Sequence, residues 1–412
     1  MRKELIFLIV TVLLLAADLY AFQAVKTSLR DSSDNAKRIG YIIFWSFTVI
    51  TVATILSNFI YSVRDWPNGL RSIVFSIIAL AFLGKLFIIV FLIIDDFQRF
   101  IRWIASMVSA PADGGPTNIS RAKFLSQTGI VVATVPLIAG MWGIFKGAHD
   151  YTIHRIKVTL PNLPDAFNGL KIVQLSDIHA GSFPSANPLK LAVDMVNKEN
   201  ADLLFFTGDL VNNITEEVLP YVSVFGQMNA KMGKYSVFGN HDYGDYVGWD
   251  SKEAKLQNIE NLKKAHGDMG WRLLWDEHVY LEKDGQQIAL IGVQNCSGTK
   301  SFHTYGDLDK AYKGCEAPVK LLLSHDPTFW DAKIRDFEDI DITFAGHTHG
   351  AQFGIEWGKV RWSPAQYIYK QWAGLYQKGK QYIYVNRGFG YLGFPGRIGI
   401  LPEITVMTLV KE

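Results

Sequence analysis

The sequence predicts a helical membrane region followed by a layered α/β domain. Three observations carry this. Four long apolar segments crowd the first 150 residues, short apolar runs alternate with helical stretches from Tyr151 onward, and a polar motif closes five of those runs. The expected domains are therefore 1–150 and 151–412.

The apolar segments are Leu5–Ala24, Tyr41–Tyr61, Ile73–Ile94 and Gly129–Phe145, each near the ~20 residues that cross a bilayer as a helix. The first is too long for a signal peptide and has no small-residue cleavage site. Lys26, Arg30, Lys37 and Arg38 follow span one, and Arg99, Arg102, Arg121 and Lys123 follow span three. The opposite side has Arg2, Lys3, Arg64 and Arg71, and Lys146 just past span four pulls weakly against the bias. The positive-inside bias then puts the N-terminus and the C-terminal domain outside the cytoplasm. Phe97–Ala110 has an apolar helical face that suits either an interfacial helix or an extension of span three. Pro111–Asn118, reading PADGGPTN, is a flexible break. Two ionisable residues, Asp18 and Lys85, lie inside spans of the same direction at similar depth, where an unpaired charge is expensive. An ion pair between them is one expectation; separate snorkelling or a polar cavity is the other.

Net charge is only +2 and no basic cluster interleaves with aromatics, so no nucleic-acid partner is expected. Cys296 and Cys315 have no metal-binding spacing. They read as two buried thiols, or as a disulfide if the domain lies outside the cytoplasm.

In the second domain, strand-length apolar runs cover Leu170–Leu175, Leu203–Phe206, Tyr235–Phe238, Ile288–Val293, Val319–Leu323 and Ile340–Phe344. Asn187–Lys198 and Ser251–His266 read as helices between them. The first opens on Asn187 as N-cap with Pro188 at the first helical position. Five of the runs end in polar motifs: Asp177-x-His179, Gly208-Asp209, Gly239-Asn240-His241-Asp242, Ser324-His325-Asp326 and Gly346-His347-x-His349. In layered α/β folds ligands gather at the carboxyl ends of strands. Asp177, His179, Asp209, Asn240, His325, His347 and His349 make a mixed oxygen and nitrogen donor set, suited to Mn²⁺, Fe or Zn²⁺. Seven donors are too many for one ion and suit two divalent ions sharing a carboxylate. Such a pair acidifies water and clamps the attacking and leaving oxygens of phosphoryl transfer.

In that order, these motifs resemble the calcineurin-like metallophosphoesterases, most nearly their membrane-anchored or exported bacterial branch. The resemblance runs from Tyr151 to Leu409 and includes LPNLPDAFNGLKIVQLSDIH and the tail NRGFGYLGFPGRIGILPEITVMTL. It implies a β-sandwich flanked by helices. It also assigns Asp177, His179, Asp209 and His349 to a first metal, and Asp209, Asn240, His325 and His347 to a second. His241 would contact the phosphate and protonate the leaving oxygen, with Asp242 orienting it. Ala351 stands where the branch often has a third glycine. The stretch SRAKFLSQTG, Ser120–Gly129, has one arginine where exported members carry two, and resembles a signal-anchor.

The resulting expectation is an integral membrane protein of a bacterial cell or inner membrane, with an extracytoplasmic, manganese-type phosphodiesterase or monoesterase domain. Its substrate would be a phosphate ester at the membrane surface, including lipid-linked ones. Trp249, Tyr391, Phe394 and Arg397 offer an apolar and cationic rim. Two rivals are a pyrophosphatase of a nucleotide-linked lipid of the UDP-diacylglucosamine type, whose substrate would be cytoplasmic, and a metal-binding sensor or scaffold. The latter has no use for an unligated His241–Asp242 pair. Four spans are few for a transporter.

Overall fold

The structure, a computed structural model, describes residues 2–57, 61, 63, 66, 68–108, 117–358 and 360–412; side chains at 2–10, 68–69, 105–106, 108 and 117–121 are not among those described. The chain divides into two compact units, Met1–Trp142 and Gly143–Glu412.

The first unit is helical: α1 (Arg2–Ser28), α2 (Asp34–Ser57), α3 (Asn68–Val108) and α4 (Thr117–Phe145). Among the described residues, Asp34–Ser57, Leu70–Ile104 and Ala122–His149 are long and apolar enough to cross a membrane. The predicted first span lies within α1. Phe97–Val108 continues α3 without a break, and its Arg99 pairs with Asp95 one turn back at 2.7 Å. That stretch is an extension of the third helix. Positions 111–116 of the predicted break lie outside the described residues.

The Asp18–Lys85 pair forms. Lys85 Nζ lies 2.8 Å from Asp18 Oδ2 and 3.0 Å from Thr48 Oγ1, and Thr48 donates to the same Asp18 oxygen. All three are buried, so α1, α2 and α3 are joined by one neutralised polar cluster. The aromatic group Phe22, Phe44 and Trp45 packs beside it, with Phe44 5.0 Å from the Lys85 ammonium.

The second unit contains two six-stranded sheets. The first is built from β1 (Thr152–Leu160), β2 (Leu170–Leu175), β3 (Leu203–Phe206), β4 (Lys234–Ser236), β5 (Arg272–Leu273) and β14 (Glu403–Lys411), in the order β1-β14-β2-β3-β4-β5. The second holds β6 (Glu277–Lys283), β7 (Gln286–Gly292), β8 (Lys320–Leu323), β9 (Ile342–Ala345), β12 (Gly374–Lys378) and β13 (Gln381–Val385), in the order β12-β13-β9-β8-β7-β6. A separate hairpin joins β10 (Ile355–Trp357) to β11 (Val360–Trp362). Strands β2 to β5 are parallel, as are β7, β8, β9 and β13.

The sheets stack through a common core. Ile172, Leu203, Phe205 and Met407 of one meet Leu290, Leu321, Leu323 and Phe344 of the other. Alternate residues face outward under helices. Val173, Leu175 and Phe206 pack on α5 (Asn187–Lys198) and α7 (Lys252–Asp268). Ile291, Leu322 and Val385 pack near α8 (Leu308–Tyr312) and α9 (Thr328–Ala332). Burial on both faces explains why the central strands read as continuous apolar runs without alternation. The architecture is the helix-flanked β-sandwich that the resemblance implied.

Two local readings change. Asn187 is the first residue of α5, with Ala186 as a cap that makes no side-chain bond. Ser251, read as helical, is instead the N-cap of α7, its hydroxyl accepting from Ala254 N at 3.1 Å. Cys296 and Cys315 are both buried and free.

The polar membrane cluster yields a prediction. Asp18→Leu or Lys85→Leu alone strands a buried charge and lowers the thermal midpoint of the detergent-solubilised chain. The double variant, which removes both charges, recovers most of that loss. Equal losses in single and double variants would show that the charges do not act as a pair.

Candidate metal centre

The carboxyl ends of β2, β3, β8 and β9, with the loop after β4, bring all nine predicted site residues together. Two groups of donors form: Asp177, His179 and His349, and Asp209, His325 and His347, with the ligand atoms of each within 4.8 Å of one another. In the first, His179 Nε2 lies 3.0 Å from His349 Nε2, and His349 Nε2 is 3.3 Å from Asp177 Oδ1. In the second, His325 Nε2 lies 3.2 Å from His347 Nδ1 and 3.1 Å from Asp209 Oδ2. The same Asp209 oxygen is 3.7 Å from His179 Nε2, so this carboxylate stands between the groups.

The backbone that makes this convergence is strained. Asp177, His179, Asp209, His347 and His349 all have φ between 50° and 72°, a left-handed region that costs residues with a Cβ ~1–3 kcal/mol each. Short bonds between loops hold them there: Asp177 N to Gly208 O at 2.9 Å, His179 N to Asp209 O at 3.1 Å and Gly390 N to Asp177 O at 2.8 Å. Glycine is required where the loops touch. A Cβ at Gly346 would lie 1.9 Å from Ser176 Oγ and 2.3 Å from Asp177 Oδ2; one at Gly208 would meet Gly239 N at 2.4 Å. The structure ties Asp177 further through its two oxygens, each 3.0 Å from His347 N.

The imidazoles are oriented from behind. His325 donates Nδ1–H to Thr207 O at 2.7 Å, which fixes the ring with Nε2 toward Asp209. His347 Nε2 is 3.2 Å from the Tyr369 hydroxyl, leaving Nδ1 toward His325. Asn240 Nδ2 donates to Tyr246 Oη at 2.8 Å, while its buried Oδ1 has no hydrogen-bond partner. Converging lone pairs and an orphaned amide oxygen are what a divalent cation satisfies, and the donor types suit Mn²⁺, Fe or Zn²⁺.

Electrostatics point the same way. Burial would push Asp177 and Asp209 up, but the imidazoles of His349 and His325 respectively hold them well below the usual carboxylate range. Burial depresses His179 and His347. For His325 burial is outweighed by Asp209, which lifts the ring to about 10. The buried carboxylates therefore demand positive charge beside Asp209, from a proton or from a metal ion.

His241 belongs to neither group. Its Nδ1–H donates to Asn212 O at 2.7 Å, and its ring packs edge-on to His179 at 4.9 Å and against Tyr246 at 4.5 Å. Asp242 does not orient that ring, contrary to expectation. Its carboxylate accepts from the backbone N–H groups of Asp209, Leu210, Val211 and Gly239 at 2.8–3.3 Å, bracing the two loops against each other. Burial and the Asp209 charge raise it to about 7. The predicted rim also fails in part. Arg397 is fully buried and donates twice to Gly390 O, at 2.6 and 2.8 Å, while Tyr391 is buried and donates to Ser182 O. Their large polar heads reach inward because unpaired carbonyls of the irregular tail need donors.

Residues missed from sequence are Asn212, Thr207, Tyr246 and Tyr369. The first two act through backbone carbonyls, which no side chain reveals. Tyr246 lies five positions beyond His241 and was open to inference. Tyr369 comes from a distant loop and was not.

Residues 1–148 match a family model described as "Probable Calcineurin-like phosphoesterase, transmembrane domain", and 170–351 match one described as calcineurin-like phosphoesterase. A zebrafish (Danio rerio) and a bovine (Bos taurus) protein, each called "Transmembrane protein with metallophosphoesterase domain", are 27 % identical over 98 % of this chain and 88 % of their own. The Bacillus subtilis "Uncharacterized metallophosphoesterase YkuE" is 29 % identical over 71 % of this chain and 98 % of its own. Similar proteins thus occur in vertebrates as well as bacteria.

The bracing role of Asp242 is testable. Asp242→Ala leaves four backbone donors without their acceptor and lowers unfolding free energy by about 3 kcal/mol or more in chemical denaturation. A loss below ~1 kcal/mol would mean that the loops hold without it.

Proposed function

Because the chain belongs to the calcineurin-like metallophosphoesterases, a group of phosphate-ester hydrolases, we propose that it works through a dinuclear site. Asp177, His179, Asp209 and His349 hold one ion; Asp209, Asn240, His325 and His347 hold the other. The observation that supports this is the position of Asp209, whose Oδ2 faces His325 of one group and His179 of the other. When bound, two divalent ions supply Lewis acidity, acidifying water and offsetting charge on the phosphoryl oxygens.

The chain's own residues do the rest. Asp209 keeps both halves in register, since its Oδ1 also accepts from His241 N at 2.8 Å. Thr207 and Tyr369 hold the ring nitrogens of His325 and His347 so that the donor lone pairs converge. His241, with Nδ1–H committed to Asn212 O, presents Nε2 as the atom from which a proton would pass to the leaving oxygen in the general-acid role. Asp242 supports this through the backbone, by fixing the Gly239 and Asp209 loops between which His241 sits.

The proposed location of the catalytic domain is extracytoplasmic. Eight Lys and Arg flank the spans on one side and five, Lys146 included, on the other, which favours that sidedness. A phosphate ester at the membrane surface, lipid-linked esters included, is the substrate class that tethering favours.

The test is hydrolysis of bis-p-nitrophenyl phosphate and p-nitrophenyl phosphate by the full chain in detergent, with Mn²⁺ and after chelation. Turnover depends on metal, and the two rates rank diester against monoester. His241→Ala retains its bound metal while turnover drops about 10²–10⁴-fold; Asp209→Asn loses metal as well as turnover. Unchanged turnover in His241→Ala would remove the general-acid assignment.

A further inference from the structure

The hairpin β10–β11 is turned inside out relative to an ordinary surface hairpin. In its register Ile355 faces Trp362, Trp357 faces Val360, and Glu356 faces Arg361. One face is therefore wholly apolar and the other polar. On the polar face Glu356 turns toward the protein, and Arg361, although exposed, folds back onto it. Glu356 accepts from Arg387 at 2.7 and 3.1 Å, and Arg361 donates to Ala373 O at 2.7 Å and lies 5.0 Å over the Trp372 ring. The apolar face points out: Trp357 is 84 % exposed, Val360 62 % and Ile355 55 %. A sheet face in water normally shows the reverse.

The exposure continues on both sides. Phe353 enters the hairpin half exposed and packs edge-on to Trp362 at 6.1 Å. Beyond β11, Tyr367 and Ile368 are each 76 % exposed. Six of the thirteen large exposed apolar residues described in the second unit thus fall within Phe353–Ile368, a concentration that marks an interaction surface. The salt bridge and the cation–π contact fix this face in its outward position.

Two further observations say what the surface meets. The base of the hairpin is tied to Gly143, the residue that opens this unit. Ile398 bridges Phe353 and exchanges bonds with Gln352 O and Gly354 N at 2.8 and 2.9 Å, and its neighbour Arg397 donates N–H to Gly143 O at 3.1 Å. Gly143–Phe145 belongs to the same unit and ends α4 inside the span-like stretch Ala122–His149, with Phe145 itself 75 % exposed. The composition is also that of an interface. Trp and Tyr sit among aliphatics with the exposed Lys370 alongside, and such residues favour the headgroup boundary of a bilayer.

We propose that the Phe353–Ile368 segment docks into the lipid headgroup boundary, immersing Trp357, Val360 and Ile355. The docked segment is bounded by site residues on both sides. It follows directly on the His349–Gln352 turn, and it ends one residue before Tyr369, whose hydroxyl holds His347. Docking therefore sets the donor groups at a fixed height above the lipid surface. This goes beyond the phosphoesterase reading and does not depend on it.

The test uses the full chain in nanodiscs of phosphatidylcholine and phosphatidylglycerol. Both native cysteines are buried, so a nitroxide on Val360→Cys reports the hairpin alone. Its collision rates with oxygen and with a water-soluble nickel chelate are calibrated against spin-labelled phospholipids in the same discs. The expected result is an oxygen-to-nickel ratio matching headgroup or upper acyl depth, several-fold above that of a label in water. Adding Trp357→Asp lowers the ratio to the aqueous value. Free access to the nickel chelate would overturn the proposal, as would protection from both probes, which would show a protein or a second copy covering the face. Immersion unchanged by Trp357→Asp would overturn it too. None of these readings needs turnover, so a failure here is distinct from a failure of the hydrolase assignment.

Discussion

Two buried carboxylates are the constraint around which the second unit is built. At the junction of the sheets the surrounding imidazoles hold Asp177 and Asp209 below the usual carboxylate range despite their burial. Charge that deep must be paired. The pairing demands close approach of five loops, and close approach forces ordinary residues into left-handed backbone conformations. Strain of that kind persists only where its surroundings over-determine it. Asp242 on four backbone donors, Gly346 and Gly208 at the contacts, and the buried Arg397 on the carbonyl of Gly390 are those surroundings.

The same rule operates on a smaller scale among the membrane helices. Asp18, Thr48 and Lys85 come from three helices and satisfy one another. In hydrocarbon no water is at hand to do so, and the polar groups of each helix select their partners. The cluster therefore fixes which faces of α1, α2 and α3 meet. Apolar packing alone specifies this poorly, since lipid is as apolar as the helix surface.

Parallel pairing explains why the site could be spread so widely along the chain. Strands β2 to β4 and β8, β9 run in the same direction within their sheets, so every following loop emerges at one end. The sandwich then places the two sets of ends against each other, and Gln174 Nε2 donating to Ala345 O at 2.9 Å is a direct bond between them. Residues 170 positions apart, His179 and His349, finish 3.0 Å apart.

The sequence by itself determined the central strands, the apolar helices and the polar residues that converge at the strand ends, because each leaves a local mark. Apolar runs with both faces buried are conspicuous, and Asp, Asn and His after such runs are rarely neutral choices. It also determined that Asp18 and Lys85 lie at matching depth. The tertiary structure decided what depends on partners: β1 and β12, whose edge positions weaken the pattern, β13 and β14, which slot between strands far off in the chain, and β10–β11, whose pattern is inverted. It decided the roles of Asp242, Arg397 and Tyr391 as well. An Asp beside a His reads as its partner, and an Arg among aromatics as a rim. The acceptor of Tyr391 lies 209 positions away and three of the donors to Asp242 lie 31–33 positions away, while Arg397 reaches Gly390 O through an irregular tail, and no local pattern encodes those contacts.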